Sequence, residues 1–223
     1  MGIELEIESE KSMRGDLADE IRALDAKRDL FDLKEDGSLD CGFELATQPA
    51  TLEYHQKQFP WMDITRLYDK YDAKSHDTST CGLHIHISRR PLTEEQEIKI
   101  TYFVNMYSEF MCRIARRDYN GFARKAEKKL AKGQNYSYSR YESVNFGDAT
   151  LEIRLFRGTT KHETILATIE FTHALVRFCE DVSSETMSSQ ENALSAFRAY
   201  VEASEQYQNF VVYANEREAW QCV

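Results

Sequence analysis

The feature that most constrains this chain is a strict alternation of apolar and ionisable residues in three separate segments. Near the N-terminus Ile3, Leu5 and Ile7 interleave with Glu4, Glu6 and Glu8. In CGLHIHIS, residues 81–88, Leu83, Ile85 and Ile87 interleave with His84, His86 and Ser88. In TLEIRLFRG, residues 150–158, Leu151, Ile153 and Leu155 interleave with Glu152 and Arg154. Side chains on a strand alternate between faces, so each segment reads as a β-strand with one apolar side and one side of carboxylates, imidazoles or guanidinium.

Between these strands the pattern changes. Residues 14–33 have helical spacing around Leu17, Ile21 and Leu24. Asp36-Gly37 is a turn signal, and Gly42 to Thr47 suits a short strand closed by Pro49. Residues 51–71 read as helix, kinked near Pro60, and 72–80 as a polar loop. Leu92 and Thr93, with Gln96 three residues on, predict a staple and capping box for a long helix to about residue 117. A second, basic helix is expected over 122–132, then a polar aromatic loop, QNYSYSRY, over 134–141. Residues 143–146 and the strand that follows are joined by a Gly147-Asp148 turn. The remainder, 160–223, is helical in pattern, with capping boxes expected at Thr160/Glu163 and Ser188/Glu191. Mixed strands and helices with short reversals predict an α+β fold with mainly antiparallel pairing, in one domain over 1–223.

The 223 residues carry a formal charge of −10, which argues against a nucleic-acid surface, because phosphate backbones are met by clustered Lys and Arg. The segment 113–132 is a local exception, with Arg116, Arg117, Arg124, Lys125, Lys128, Lys129 and Lys132. It reads either as a solvated face or as a cover for an anionic ligand such as a nucleotide tail. No apolar run reaches the roughly 18–20 residues of a membrane helix. The 5 cysteines are scattered without a CxxC pair, and the acidic start, MGIELEIESE, lacks a signal-peptide pattern. Reduced thiols and a cytoplasmic location are therefore expected.

A sheet with one wet face commonly shows alternation, so the identity of the polar residues carries the weight. Glu4 and Glu6, His84 and His86, and Glu152 with Arg154 are donors for a cation or contacts for a phosphate. Carboxylates on neighbouring strands repel unless a cation lies between them. Several carboxylates with one or two imidazoles suit Mg²⁺ or Mn²⁺, whereas catalytic zinc more often takes His-rich or Cys-containing sets. P-loop, dinucleotide-binding, kinase and GxSxG signatures are all missing from the sequence, so phosphates would be held by metal and Arg on a sheet.

Four segments, GIELEIE, EDGSLDCGFELATQP, CGLHIHIS and RYESVNFGDATLEIRLFRGT, together resemble the motifs of the amidoligase family. That family belongs to the glutamine synthetase and glutamate-cysteine ligase superfamily of carboxylate-amine ligases, and the likeness covers residues 2–159. It implies a curved sheet with a concave active-site face, helices on the convex side, and ATP-dependent joining of an acid to an amine. It further implies one metal held by Glu4, His84 and Glu152 and another by Glu6, Asp36 and Glu44. Asp36 stands where the family has Glu, which shortens that ligand's reach. His86 and Ser88 are implied to face the nucleotide, with Arg154, Arg140 and Arg157 toward phosphate oxygens or a substrate carboxylate. Glu152 and Arg154 are then the residues closest to the chemistry. Small-molecule or peptide acids and amines are the implied substrates, and a homo-oligomer or an ammonia-supplying glutaminase partner is compatible with them. Two other readings compete: a metal-dependent hydrolase using the HxH pair, and a ligase-like sheet that binds without catalysis.

Overall fold

The strands are β1 (Gly2–Glu8), β2 (Phe31–Lys34), β3 (Gly42–Thr47), β4 (Gly82–Ser88), β5 (Val144–Phe146) and β6 (Thr150–Arg157). They form a 6-stranded sheet in the order β2-β3-β1-β4-β6-β5, and every neighbouring pair is antiparallel. This computed structural model describes residues 1–27, 29–133, 139 and 141–222. Around the sheet lie α1 (Arg14–Ala23), α2 (Leu52–Lys57), α3 (Trp61–Lys70), α4 (Glu94–Met106), α5 (Ser108–Ala115), α6 (His162–Asp181), α7 (Ser184–Ser188), α8 (Gln190–Glu202) and α9 (Gln208–Glu216). The fold is α+β, as the mixed pattern predicts. Among the described residues no helix is long and apolar enough to cross a membrane.

The register explains the alternation. Leu5 lies opposite Leu45 and Leu83, and Ile85 opposite Ile3 and Ile153, so these residues share one side of the sheet. They are buried in a core that also contains Ile21, Phe103, Phe171 and Phe197 of the helices. The helices are thus packed on the apolar face. Burial of aliphatic and aromatic side chains there is the main favourable term for the fold, at about 25 cal/mol per Å² of apolar surface.

Several expectations are corrected. The helix predicted over 14–33 ends at Ala23, and the chain re-enters the sheet as β2. The cause is Asp25, whose carboxylate accepts the backbone N–H of Asp29, Leu30 and Phe31, so the turn satisfies its own donors. The long helix predicted to residue 117 is broken at Tyr107, which has φ −92° and ψ 54°, and α5 ends before Arg116. The basic helix expected over 122–132 is absent; Arg124 instead exchanges backbone hydrogen bonds with Tyr141 and Ser143. At Thr160 no capping box forms, since α6 starts at His162 and Thr159 accepts the N–H of Lys161. The last predicted cap shifts from Ser188 to Ser189. The break at Pro60 and the capping box of Thr93 and Gln96 form as expected.

Gly42 marks where β3 meets β1 most closely. A Cβ at this position would lie 2.0 Å from the carbonyl oxygen of Ile7, a backbone atom that cannot rotate away. Gly42→Ala is expected to lower stability by about 2 kcal/mol, read as a reduced urea midpoint, because the two strands must part. An unchanged midpoint would mean that this close approach is not required.

Candidate functional site

The same register that buries the apolar side chains gathers the polar ones on the opposite face. Glu4 lies across from His84, Glu6 from Glu44, and His86 from Glu152. Residues opposite one another on antiparallel strands have Cβ atoms about 5 Å apart, so donors that are distant in sequence become neighbours. Two sets of mutually close ligand atoms result, each within 4.8 Å: Glu4, His86 and Glu152, and Glu6, Asp36 and Glu44. β1 contributes to both, one carboxylate to each.

In the first set both imidazoles reach the same two carboxylates. His86 Nε2 is 3.0 Å from Glu4 and 3.9 Å from Glu152. His84 Nδ1 is 3.7 Å from Glu4 and 3.4 Å from Glu152. The structure therefore places His84 and His86 together on this carboxylate pair. His86 Nε2 is buried, and the Glu4 carboxylate is its charge partner rather than a well-aligned hydrogen-bond acceptor. Its other nitrogen lies 3.5 Å from the Thr150 hydroxyl. Glu152 is held on both oxygens, one accepting from Asn145 Nδ2 at 3.0 Å and the other from the Arg154 guanidinium. Such outer contacts fix the orientation of ligand carboxylates.

Burial pushes the Glu4 carboxyl up, but His84 and His86 outweigh it and hold the group well below the usual carboxylate range. Burial likewise disfavours a charged His86, and the Glu4 and Glu152 carboxylates outweigh it, raising His86 above its ordinary value. A carboxylate pair that keeps a proton on His86 would also attract a divalent cation, and the cation would displace that proton.

The second set lies one step along β1. Burial raises Glu6, partly offset by His84 and by the Gly82 N–H, which donates to its carboxylate. Burial also raises Glu44, and Glu4 and Glu6 add to the shift. Three acids close together, with Lys34 3.6 Å from Glu44, form an oxygen-rich set suited to Mg²⁺ or Mn²⁺. Asp36 is carried by the turn after β2, where its side chain also accepts the N–H of Ser38. Gly82 keeps space between the sets: a Cβ there would lie 2.8 Å from His84 Nε2 and 3.3 Å from a Glu6 oxygen.

β6 carries the arginines. Leu83 pairs with Phe156 but Ile85 with Ile153, so His84 faces two residues, Arg154 and Leu155. This β-bulge reverses the alternation. Without it Phe156 would point to the polar face; with it Phe156 enters the core and Arg157 lies opposite Gly82, on the polar side. Ser88 lies at the exposed end of β4, bordering a recess of about 550 Å³ with Arg89, Arg90 and Asp148. Arg140 lies outside the described residues. Sequence reasoning passed over Asn145 and Thr150. The signal for Asn145 was a single polar residue between Val144 and Phe146, in a strand too short to show a period.

In comparison with known proteins, the chain matches no family model. It likewise matches no curated protein.

Proposed function

We propose that this protein is an ATP-dependent carboxylate-amine ligase of the amidoligase kind, with a glutamine synthetase-like curved sheet whose polar face is concave. The observation that carries the proposal is the pair of hard-donor sets side by side on one face, Glu4/His86/Glu152 with His84, and Glu6/Asp36/Glu44, flanked by Arg154 and Arg157. When bound, two divalent cations would offset the charge of the β- and γ-phosphates during in-line transfer. The chain's own residues hold and orient the reactants. Arg154, fixed by Glu152, presents its planar fork to oxyanions, and Arg157 stands beside it. The substrate carboxylate attacks the γ-phosphoryl group and ADP leaves. An amine then attacks the acyl carbon, inorganic phosphate leaves with the C–O electron pair, the proton lost by the amine nitrogen passes to phosphate or solvent, and an amide or isopeptide-like bond remains. Substrates are a small-molecule or peptide acid and an amine, met in the cytoplasm.

The approach of both imidazoles to one carboxylate pair favours a second reading, a metal-dependent hydrolase, and the two readings separate by experiment. Mg²⁺-ATP or Mn²⁺-ATP at 100 times its Kd is expected to raise the melting temperature by roughly 5–10 °C. ADP release that requires both an acid and an amine, screened over amino acids, polyamines and peptides, would support the ligase. Substrate hydrolysis without ATP would select the hydrolase. If neither metal–ATP complex shifts the melting temperature and no ADP is released, the ligase proposal fails.

A further inference from the structure

Guanidinium groups converge at the end of β6 from two directions. Arg154 and Arg157 belong to the strand itself, on its polar side. β5 pairs with β6 as far as Ile153, the Arg154 N–H donates to the Ser143 carbonyl at 2.9 Å, and beyond it the edge is covered by the turn after α5. Arg116 takes a left-handed conformation there, φ 61° and ψ 23°, a state that is unfavourable for a non-glycine residue. Its side chain holds the turn in place by donating to the carbonyls of Arg157 at 2.5 Å and Gly158 at 3.1 Å. Arg117 follows, and its Nη2 donates to the carbonyl of Arg154, within the bulge, at 3.3 Å.

The remaining donors of this cluster are short of acceptors. The Nε atoms of Arg116, Arg117 and Arg154 are buried without hydrogen-bond partners. Among the described residues, Arg154 is the one guanidinium of the four that pairs with a carboxylate, that of Glu152. Burial pushes the Arg117 guanidinium below its ordinary value; Glu6 opposes that shift, while Arg154 and Arg157 add to it. Arg117 is thus a neighbour of the second carboxylate set as well as of the two strand arginines. Other basic side chains of segment 113–132 are engaged elsewhere: Arg113 with Glu109, Arg124 with Ser139, Lys125 with Ser108 and Lys128 with Glu142. The segment therefore turns Arg116 and Arg117 toward β6, with Arg116 committed to backbone carbonyls.

We infer that Arg117 is an anion-binding residue of the site, reaching from the turn that covers the edge of β6 to complete, with Arg154 and Arg157, a cradle for an anion bearing two or more oxygens on one centre. The physical need is twofold. Like charges gathered in a partly buried recess repel, and a buried donor without an acceptor keeps the cost of its lost hydration. An oxyanion relieves both, through charge-assisted hydrogen bonds about twice as strong as neutral ones. The anion is either a phosphoryl group or a carboxylate; only that identification rests on the ligase proposal.

The test uses the full chain, freed of metal on a chelating resin, at constant ionic strength set with chloride. Inorganic phosphate and acetate are titrated separately by calorimetry into the wild type, Arg117→Gln, and Arg198→Gln, a control on exposed α8 paired with Glu202. The wild type and the control are expected to bind at least one anion saturably, and Arg117→Gln to bind it at least tenfold more weakly. Preference for phosphate assigns the cradle to phosphoryl oxygens; preference for acetate assigns it to a substrate carboxylate. If Arg117→Gln does not fold, Arg117→Lys keeps a charge and a donor to the Arg154 carbonyl but not the planar fork. It is then expected to fold and to bind at least threefold more weakly. No saturable binding by the wild type, or full affinity in whichever variant folds, overturns the inference. Anion binding without ADP release for any acid–amine pair would overturn the ligase and leave the cradle standing. ADP release with unchanged anion affinity in the Arg117 variant would do the reverse.

Discussion

Glu152→Ala is expected to remain folded and to lose at least about a thousandfold in turnover, together with one of two bound Mn²⁺ ions. Glu152 belongs to a ligand set with Glu4 and His86 and also lies 3.4 Å from His84 Nδ1. Its removal leaves one carboxylate facing two imidazoles, and it frees Arg154 from the carboxylate that aims it. Loss of a preorganised donor aimed at developing charge typically costs a factor of about 10²–10³. Here a proposed metal ligand and the orientation of Arg154 would be lost together, so the larger figure is the expectation. The fold survives because the partners of Glu152, Asn145, Arg154 and the two imidazoles, lie on the polar face, while Ile153 and Leu151 beside it keep the core contacts. Mn²⁺ binding followed by electron paramagnetic resonance should give two ions per wild-type chain and one in the variant. A variant that binds two ions, or that turns over at the wild-type rate, would remove Glu152 from the metal site.

The polar face could be read from the sequence because a period of two is an intrinsic property of strands. Glu4, Glu6, His84, His86, Glu152 and Arg154 follow from their own positions in three segments. Which of them meet is a matter of register, and register depends on the order of strands in the sheet. The closeness of His86 to Glu4 and Glu152 comes from β4 standing between β1 and β6. Arg157 shows a different limit of local pattern. Simple alternation assigns it to the apolar side, and the bulge opposite His84 returns it to the polar side; the trace in the sequence is the pair Leu155-Phe156, two apolar residues where the period asks for one. Arg117 had no periodic signal, since its place depends on a left-handed residue that ends a helix.

The helical misreadings share one cause. Residues 24–33 carry helix-compatible apolar spacing, yet Asp25 gathers three backbone donors and turns the chain into β2. Local polar capping and strand pairing together outweigh a propensity worth only tenths of a kcal/mol per residue. In segment 122–132, Lys and Arg are good helix formers and Ala123, Ala126 and Leu130 have helical spacing, but small alanines give such a stripe little surface to bury. The backbone there pairs instead beside β5, through Arg124 with Tyr141 and Ser143.

A second buried acid separates structure from function. Glu170, in the middle of α6, is fully enclosed, and its partners are neutral. Gln56 of α2 and Asn209 of α9 donate to one oxygen at 2.7 and 2.5 Å, and the N–H of Phe210 donates to the other at 2.9 Å. Phe210 lies in the first turn of α9, where exposed N–H groups and the helix dipole favour a carboxylate. One side chain thus ties three helices together. Glu170→Ala would leave the buried Phe210 N–H and the half-buried Asn209 amide without this acceptor and open a cavity where α2, α6 and α9 meet. We expect a loss of about 4 kcal/mol, near 10 °C in melting temperature, with Glu170→Gln between this variant and the wild type because it keeps one acceptor oxygen. Calorimetric melting of the metal-free protein is the measurement, and a loss under about 1 kcal/mol would show that these bonds are readily replaced by water. The contrast with Glu152 lies in the company each carboxylate keeps. Neutral amides and a helix N-terminus satisfy Glu170 completely, so it has nothing left to offer a ligand. Imidazoles, a second carboxylate and a guanidinium surround Glu152, and these charged neighbours are what the proposed cation would join.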